Sequence, residues 1–423
     1  MTGTRTSASG SRRRTLKRAL LALAALVLLV AGPTLAFLAL WSWPLHRLPG
    51  VGAGQESQSR TPGMPEADAE QLMTVLRQAR ADAGVPSLSA AIAHVDGRRW
   101  AGASGWAEVE RRQPATPASR YRTGSVAKPI TAVALVRLAA EGRIDLDAPA
   151  ARHVAGLPPA LAGLSARQLA SHTAGIRHYA QTPQWWPGWH EALAMRDCAD
   201  VAAGLDLFQD DPLQFPAGAG FGYSTFGYTL LSRMMEGAAG RPFPDLLRQE
   251  VLDPAGMVST GVDRDGAMPG RVAFYEGRQG RYTRAHPLDS SCRIAGGGLV
   301  STPTDLARLG ATLLGGKLMD EAALRMLWTP QPLADGSPNP QHYALGWRVE
   351  DDPRLASGGR PLRVVHHGGS QAGAAAFLLL VPDRGLAVAV MANSGSARGD
   401  VETTAFALAK AALTDSGARP GQD

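Results

Sequence analysis

Residues 121–142, YRTGSVAKPITAVALVRLAAEG, decide how the rest of the chain is read. From position 125 to 141 the run is almost uniformly apolar and stops at Gly142, which predicts a helix buried all round. Pro129 fits only near a helix start, so that start lies close to Ser125. The i, i+3 spacing of Ser125 and Lys128 puts hydroxyl and amine on one face of the first turn, within reach of proton exchange. Unpaired N–H groups at the helix start add a field that favours developing negative charge. Of 43 basic residues only Lys17, Lys128, Lys317 and Lys410 are lysine, and only Lys128 has a serine three positions before it. In a chain that otherwise uses arginine, the position wants a group able to lose its proton. A capping serine with an exposed lysine one turn later is the plain alternative, and it sits poorly with the apolar run around Lys128.

Outward from that helix, Leu72, Val75, Leu76, Ala79 and Ala83 recur at helical spacing before Gly84, predicting a helix over 66–83. SLSAAIAHV and RWAGASGWAEV then flank Asp96-Gly97 as a hairpin. Near the other end YALGWRV (343–349), RVVHHGG (363–369), AAFLLLVP (375–382) and GLAVAVMANS (385–394) read as strands, followed by a helix over about 400–413. The middle, about 143–290, alternates helical runs with Pro-, Gly- and Trp-rich loops. The fold class expected is α/β (α+β): an antiparallel sheet built from both chain ends and flanked by helices, with an inserted all-helical lobe and the active site between the two.

The chain has 423 residues, 45% of them hydrophobic and 19% charged, which excludes disorder, coiled coil and collagen. Its net charge of +6 is local. Residues 1–18 carry Arg5, Arg12, Arg13, Arg14, Lys17 and Arg18 with no acid, and removing those six from the 43 leaves 37 basic against 37 acidic residues. A neutral body argues against a nucleic-acid partner. Residues 19–43 are about 25 mostly apolar positions, long enough for a membrane span. A retained anchor is favoured over a cleaved signal, with 1–18 as a basic cytoplasmic tail and the catalytic body on the periplasmic side of the inner membrane. The cluster RRRTLK also resembles a twin-arginine export signal. Residues 44–64 read as a flexible tether, 65–413 as the folded domain and 414–423 as a disordered tail. Cys198 and Cys292 leave two readings open, one bridge or two small buried thiols.

Several chemistries are excluded. There is no Walker loop or dinucleotide fingerprint, and His190-Glu191 lacks the second His of a zinc-protease helix, so no cofactor and no metal are expected. Gly368-Gly369-Ser370-Gln371-Ala372 approaches a nucleophile elbow, but no histidine follows His367 to complete the order of α/β-hydrolases. Two other elements accompany the Ser/Lys pair. Tyr223, in a Gly-rich turn before a helix, could present its phenol to a cleft with a pKa lowered by a neighbouring ammonium. His367-Gly368-Gly369-Ser370 follows a strand whose glycines let a substrate backbone approach. His172 reads as a structural hydrogen-bonding residue, His366 as pointing to the opposite face from His367, and Trp185, Trp186 and Trp189 as core more than substrate rim.

In this order the three elements resemble the S-x-x-K, Y-x-N and [KH]-x-G motifs of the serine β-lactamase and penicillin-binding-protein-like family, in its class C and esterase branch. LASHTAGI (169–176), GGGLVSTPTDLARL (296–309) and GGSQAGAAAFLLLVP (368–382) are similar too, and YSTFGYTLL looks like the mitochondrial β-lactamase-like serine protease subgroup. The resemblance covers about 66–413 and implies a β-lactamase/transpeptidase-like fold. It implies Ser125 as acylated nucleophile, Lys128 and Tyr223 as its proton-transfer partners, and the backbone N–H groups of Ser125 and Ser370 as oxyanion hole. Thr225, His367, Gly368 and Gly369 would contact substrate. Thr225 stands where the family has Asn and His367 where many members have Lys, departures that leave peptides, esters or amides as the substrate class. A true β-lactamase or D-Ala-D-Ala carboxypeptidase is the enzymatic alternative, and a catalytically silent membrane-bound ligand-binding module the alternative of another class.

Overall fold

Strands from the two ends of the chain lie side by side in one antiparallel sheet. A computed structural model describes residues 8–42, 46–47, 55–179, 197–264, 268–278, 281–285 and 287–414. The strands are β1 (Glu56–Arg60), β2 (Ser87–His94), β3 (Arg99–Glu108), β4 (Arg348–Ser357), β5 (Arg360–Gln371), β6 (Ala374–Val381) and β7 (Leu386–Ala392). Their order is β4-β5-β6-β7-β2-β3-β1, with the short strand Gln113–Pro114 added on β3. Leu386 at the start of β7 pairs with His94 at the end of β2, which joins the two chain ends.

Strand β6 shows why both faces are covered. Ala374, Ala376, Leu378 and Leu380 belong to one apolar cluster. Ala375, Phe377, Leu379 and Val381 belong to the other, the period-2 alternation of a strand buried on both sides. Helices α2 (Glu66–Ala83) and α6 (Arg398–Thr414) close the second face through Leu72, Met73 and Leu76 and through Val401, Ala405, Leu408 and Ala409. Gly84 ends α2 in the left-handed conformation at φ 59°, a backbone state that needs no Cβ. On the first face lie α3 (Ala127–Ala140), α4 (Thr225–Ala239) and α5 (Pro303–Leu314). Helix α5 touches the sheet at Gly310, where a Cβ would stand 2.4 Å from Leu380 and 2.6 Å from Ala387.

Three expectations are corrected. The tether expected over 44–64 contains β1, which pairs with β3 from Glu56↔Ser104 to Arg60↔Trp100. Its sequence ESQSR is polar because it is an edge strand, whose backbone ladder tolerates water-facing side chains, and Gln58 Oε1 accepts from Trp100 Nε1 at 2.8 Å. YALGWRV is extended only from Arg348. Gly346 has φ 78° and a Cβ there would meet Ala132 and the Lys128 carbonyl at 2.7 and 2.9 Å, so the segment turns inward against α3 instead of running straight. The lobe at 143–290 is not purely helical, for Gly261–Val262, Tyr275–Arg278 and Arg281–Arg284 are short strands.

Cys198 and Cys292 form a disulfide, Cα–Cα 5.1 Å. Of the two readings the sequence allowed, the bridge is the one adopted. A helix over Ala8–Ser42, α1, includes 18 residues, Leu16–Pro33, of mean hydropathy 1.9, with none of that stretch buried. By length and composition it is sufficient to cross a membrane. Trp185, Trp186, Trp189 and the tail after Thr414 lie outside the described residues.

Candidate active site

Ser125 lies in a 3₁₀ turn, Gly124–Val126, that runs directly into α3. Thr123 anchors this turn, its N–H and hydroxyl both donating to the Leu299 carbonyl at 2.9 and 3.1 Å. Gly124 has φ 49°, and a Cβ on it would lie 2.7 Å from the Ser370 amide nitrogen. A Cβ on Gly369 would lie 2.1 Å from the Thr123 carbonyl and 2.9 Å from the Ser125 nitrogen. Only glycine at both positions lets β5 approach the turn this closely. The Gly124-Ser125 and Gly369-Ser370 backbones are thereby brought close together.

Lys128 is fully buried. Its Nζ lies 3.2 Å from Ser125 Oγ, 3.1 Å from Thr225 Oγ1 and 2.7 Å from the Gly296 carbonyl oxygen. Burial, reinforced by the positive charge of Arg348, pushes its pKa well below that of an ordinary lysine. Among the described residues no carboxylate pairs with Nζ, and the desolvation shifts the balance towards the neutral amine. A neutral amine has two N–H groups and one lone pair. Gly296 O is an obligate acceptor and Thr225 Oγ1 a competent one, which leaves the lone pair for the Ser125 hydroxyl.

Tyr223 sits in the turn just before α4, its ring centroid 4.8 Å from Lys128 Nζ. Burial pushes its phenol up to about 12, against the opposing influence of a hydrogen bond with Ser125 and the field of Arg348. The sequence reading of a lowered phenol is therefore reversed, because burial outweighs the hydrogen bond and the positive field that would lower it. Ser224 caps α4, accepting from Gly227 N–H at 3.0 Å and donating to the Arg177 carbonyl at 2.7 Å. His172 adopts φ 63°, accepts from Ser224 N–H at 3.2 Å and packs its ring 4.3 Å from that of Tyr223. Its place is that of a buried hydrogen-bonding support under the tyrosine.

His367 is also buried. Its Nδ1 donates to the Gly368 carbonyl at 2.6 Å, so Nε2 accepts from the Tyr343 hydroxyl at 2.8 Å. Burial, then Arg348 and Lys128, hold the imidazole well below its usual pKa. This is a neutral ring engaged by the protein on both nitrogens. Thr225 is likewise turned to Lys128, its hydroxyl oxygen accepting from Nζ. His366 lies on the other face, stacked on Phe377 at 5.4 Å and bonded to Glu350 at 2.9 Å.

Three contributors were not singled out by sequence. Gly296 supplies the carbonyl that holds Lys128, and a Cβ there would stand 2.5 Å from Thr225 Cγ2. Tyr343 and Arg348 come from the YALGWRV stretch. Its sequence marked a similarity and gave no sign that the phenol and guanidinium reach the site.

Comparison with known proteins bears on the family of this fold. The β-lactamase family model matches residues 72–413. The chain belongs to the β-lactamase family. It is similar to human mitochondrial serine beta-lactamase-like protein LACTB, 26% identical over 81% of each chain. It is similar to penicillin-binding protein 4* of Bacillus subtilis, 24% identical over 68% of this chain and 64% of that one. Among solved structures, a D-stereospecific amidohydrolase from Streptomyces sp. matches with TM-score 0.65 and 26% identity, covering 81% of this chain and 98% of that one. The fold is that of β-lactamases and transpeptidases, and the chain is a serine hydrolase of that family.

Proposed function

We propose that this hydrolase is anchored by α1 with its folded domain outside the cytoplasm, and that it cleaves peptide, ester or amide substrates through an acylated Ser125. The observation that carries the catalytic part is the buried Lys128 amine, whose Nζ lies 3.2 Å from Ser125 Oγ and is held by Thr225 Oγ1 and the Gly296 carbonyl. Ser125 Oγ attacks the substrate carbonyl and gives its proton to Lys128 Nζ. The oxyanion is received by the backbone N–H groups of Ser125 and Ser370. As the tetrahedral species collapses, the proton passes from Lys128, by way of the Tyr223 phenol, to the leaving group. Water then enters, loses a proton along the same path and releases the acyl group from Ser125. Tyr223 acts in its protonated form throughout, as a relay.

Substrate chemistry is argued from the two departures in the motifs. Without the amide of an asparagine at 225 and without a charged group at 367, the devices that would favour β-lactams are weakened, which supports acyclic acyl donors. The location is supported by the span of α1, by the surplus of basic over acidic residues in positions 1–18, and by the disulfide, since bridges persist in oxidising compartments. The test is labelling with a fluorophosphonate and with a penicillin probe, followed by mass spectrometry of the labelled peptide. Modification at Ser125 that is lost in Ser125→Ala and Lys128→Ala supports the mechanism. A folded protein that reacts with neither probe rules it out and returns the chain to a binding role. Comparison of a chromogenic cephalosporin with a short acyl ester separates the substrate classes.

A further inference from the structure

On the reading above, which this inference rests on, the Ser370 N–H has to be held steady to receive an oxyanion. Ser370 stands near the end of β5, two positions before the Ala372-Gly373 turn that leads into β6. Gln371 pairs with Ala374 across that turn, so the loop has only two residues. Two-residue loops that match the twist of their strands carry a positive φ at the first central residue. Here only the second carries one, Gly373 at φ 69°. A loop of this kind tends to splay its strands, so its geometry needs support from outside.

Two charged side chains supply that support. Arg122, buried on the short strand Tyr121–Arg122, donates from Nη1 to the Ala372 carbonyl at 3.0 Å. It is itself fixed by Asp263, whose Oδ2 accepts from Nε at 2.7 Å, and by the Phe274 ring, whose centroid lies 4.2 Å from the guanidinium. Arg122 is three positions before Ser125, so one side chain ties the nucleophile turn to the turn that follows Ser370. Glu276, on the strand Tyr275–Arg278, accepts from the Gly373 N–H through Oε1 at 2.6 Å. That strand is held on both sides of Glu276, Tyr275 N–H donating to the Asn393 carbonyl at 3.1 Å and Ser396 Oγ to the Gly277 carbonyl at 2.6 Å. A Cβ on Gly373 would stand 2.5 Å from Phe274 Cβ and 2.9 Å from the Tyr275 nitrogen, so the turn is seated directly on this segment.

We propose that Arg122 and Glu276 are positioning residues for the reaction: they clamp the Ala372-Gly373 turn from its two sides and so hold the Ser370 N–H where the oxyanion develops. The test uses the p-nitrophenyl ester of phenylacetylglycine and the matching thionoester, with sulfur in place of the carbonyl oxygen, on the native protein, Glu276→Ala, Glu276→Gln and Arg122→Lys. Sulfur is the weaker hydrogen-bond acceptor, so the native preference for the oxygen ester measures what the oxyanion donors contribute. In Glu276→Ala, kcat should fall about tenfold or more with KM within about twofold of native, and the oxygen-to-sulfur rate ratio should shrink by a similar factor. Glu276→Gln keeps an acceptor oxygen and should stay within about threefold of native. Arg122→Lys lacks the forked group that serves Asp263 and Ala372 together, so it should follow Glu276→Ala, and it carries the comparison alone if Glu276→Ala does not fold. Circular dichroism and urea unfolding identify the folded variants. A folded variant with native kcat, or with lowered kcat and an unchanged oxygen-to-sulfur ratio, overturns the assignment. Absence of fluorophosphonate labelling at Ser125 in the native protein overturns instead the hydrolase mechanism on which the assignment rests.

Discussion

Gly369 packs so tightly under the nucleophile turn that a Cβ added to it would stand 2.9 Å from the amide nitrogen of Ser125. The same atom would be 2.1 Å from the Thr123 carbonyl, a distance backbone atoms do not tolerate. Gly369→Ala must therefore push β5 away from the turn and separate the two N–H groups assigned to the oxyanion. Loss of one such donor costs on the order of a hundredfold or more in kcat. We expect at least that loss on a chromogenic acyl ester; activity within twofold of native would show that the oxyanion is held elsewhere.

Lys128 should contribute to activity at the expense of stability. Its amine is desolvated and its pKa is held well below the ordinary lysine value, so between the two values the unfolded state takes up a proton that the folded state does not. The cost to folding grows as pH falls from the ordinary lysine range towards the depressed folded value. Lys128→Met is expected to abolish turnover and to raise Tm, by on the order of 1 kcal/mol in stability. An unchanged or lower Tm at pH 7, with activity lost, would argue that the hydrogen bonds of Nζ outweigh its desolvation.

The same two shifts set the pH profile. Activity requires neutral Lys128, so kcat/KM should rise with pH through that depressed pKa and then level. Tyr223 must stay protonated, and with its pKa at about 12 no alkaline decline is expected below about pH 10. Tyr223→Phe should lower kcat about a hundred- to ten-thousandfold while leaving the acid limb in place. An alkaline limb near neutrality in the native protein would contradict a protonated relay.

The disulfide closes a long loop, Cys198 and Cys292 being separated by 94 in sequence, and loops of that length give bridges worth about 2–5 kcal/mol. It also sits on the segment that serves the site. Cys292 O accepts from Thr229 Oγ1, and Gly296, four residues on, holds Lys128. Cys198→Ser with Cys292→Ser should lower Tm by several degrees and reduce kcat more than it raises KM. A stability loss with kcat unchanged would confine the bridge to a structural part.

Helix α5 gives a test of packing away from the chemistry. Gly310→Val places methyl groups where Leu380 and Ala387 already lie at 2.4 and 2.6 Å from a bare Cβ. Overpacking of this kind costs about 1–3 kcal/mol, and it should appear in urea unfolding with kcat per folded molecule little changed.

What could be read directly was whatever depends on neighbours in sequence. The helix over 66–83 came from its periodicity and Gly84, and the helix after Ser125 from its uniform apolarity. The Ser125/Lys128 pair came from an i, i+3 spacing that one helical turn converts into proximity. The strand periods of β2, β3, β6 and β7 were equally local. β1 escaped because an edge strand needs no apolar pattern, and the inward turn at Gly346 escaped because its cause is α3, more than two hundred positions away.

The sequence by itself thus determined most of the elements, the Ser125/Lys128 pairing and the family, since each is carried by residue types at short fixed spacings or by motifs in a fixed order. Tertiary structure decided the protonation of the site and what is free to meet a substrate. Whether Lys128 is neutral depends on desolvation by segments drawn from the whole chain, and whether His367 carries charge depends on Tyr343 and on burial. Electrostatic free energies follow distance and solvent exclusion in space. Those are properties that no spacing along the chain encodes.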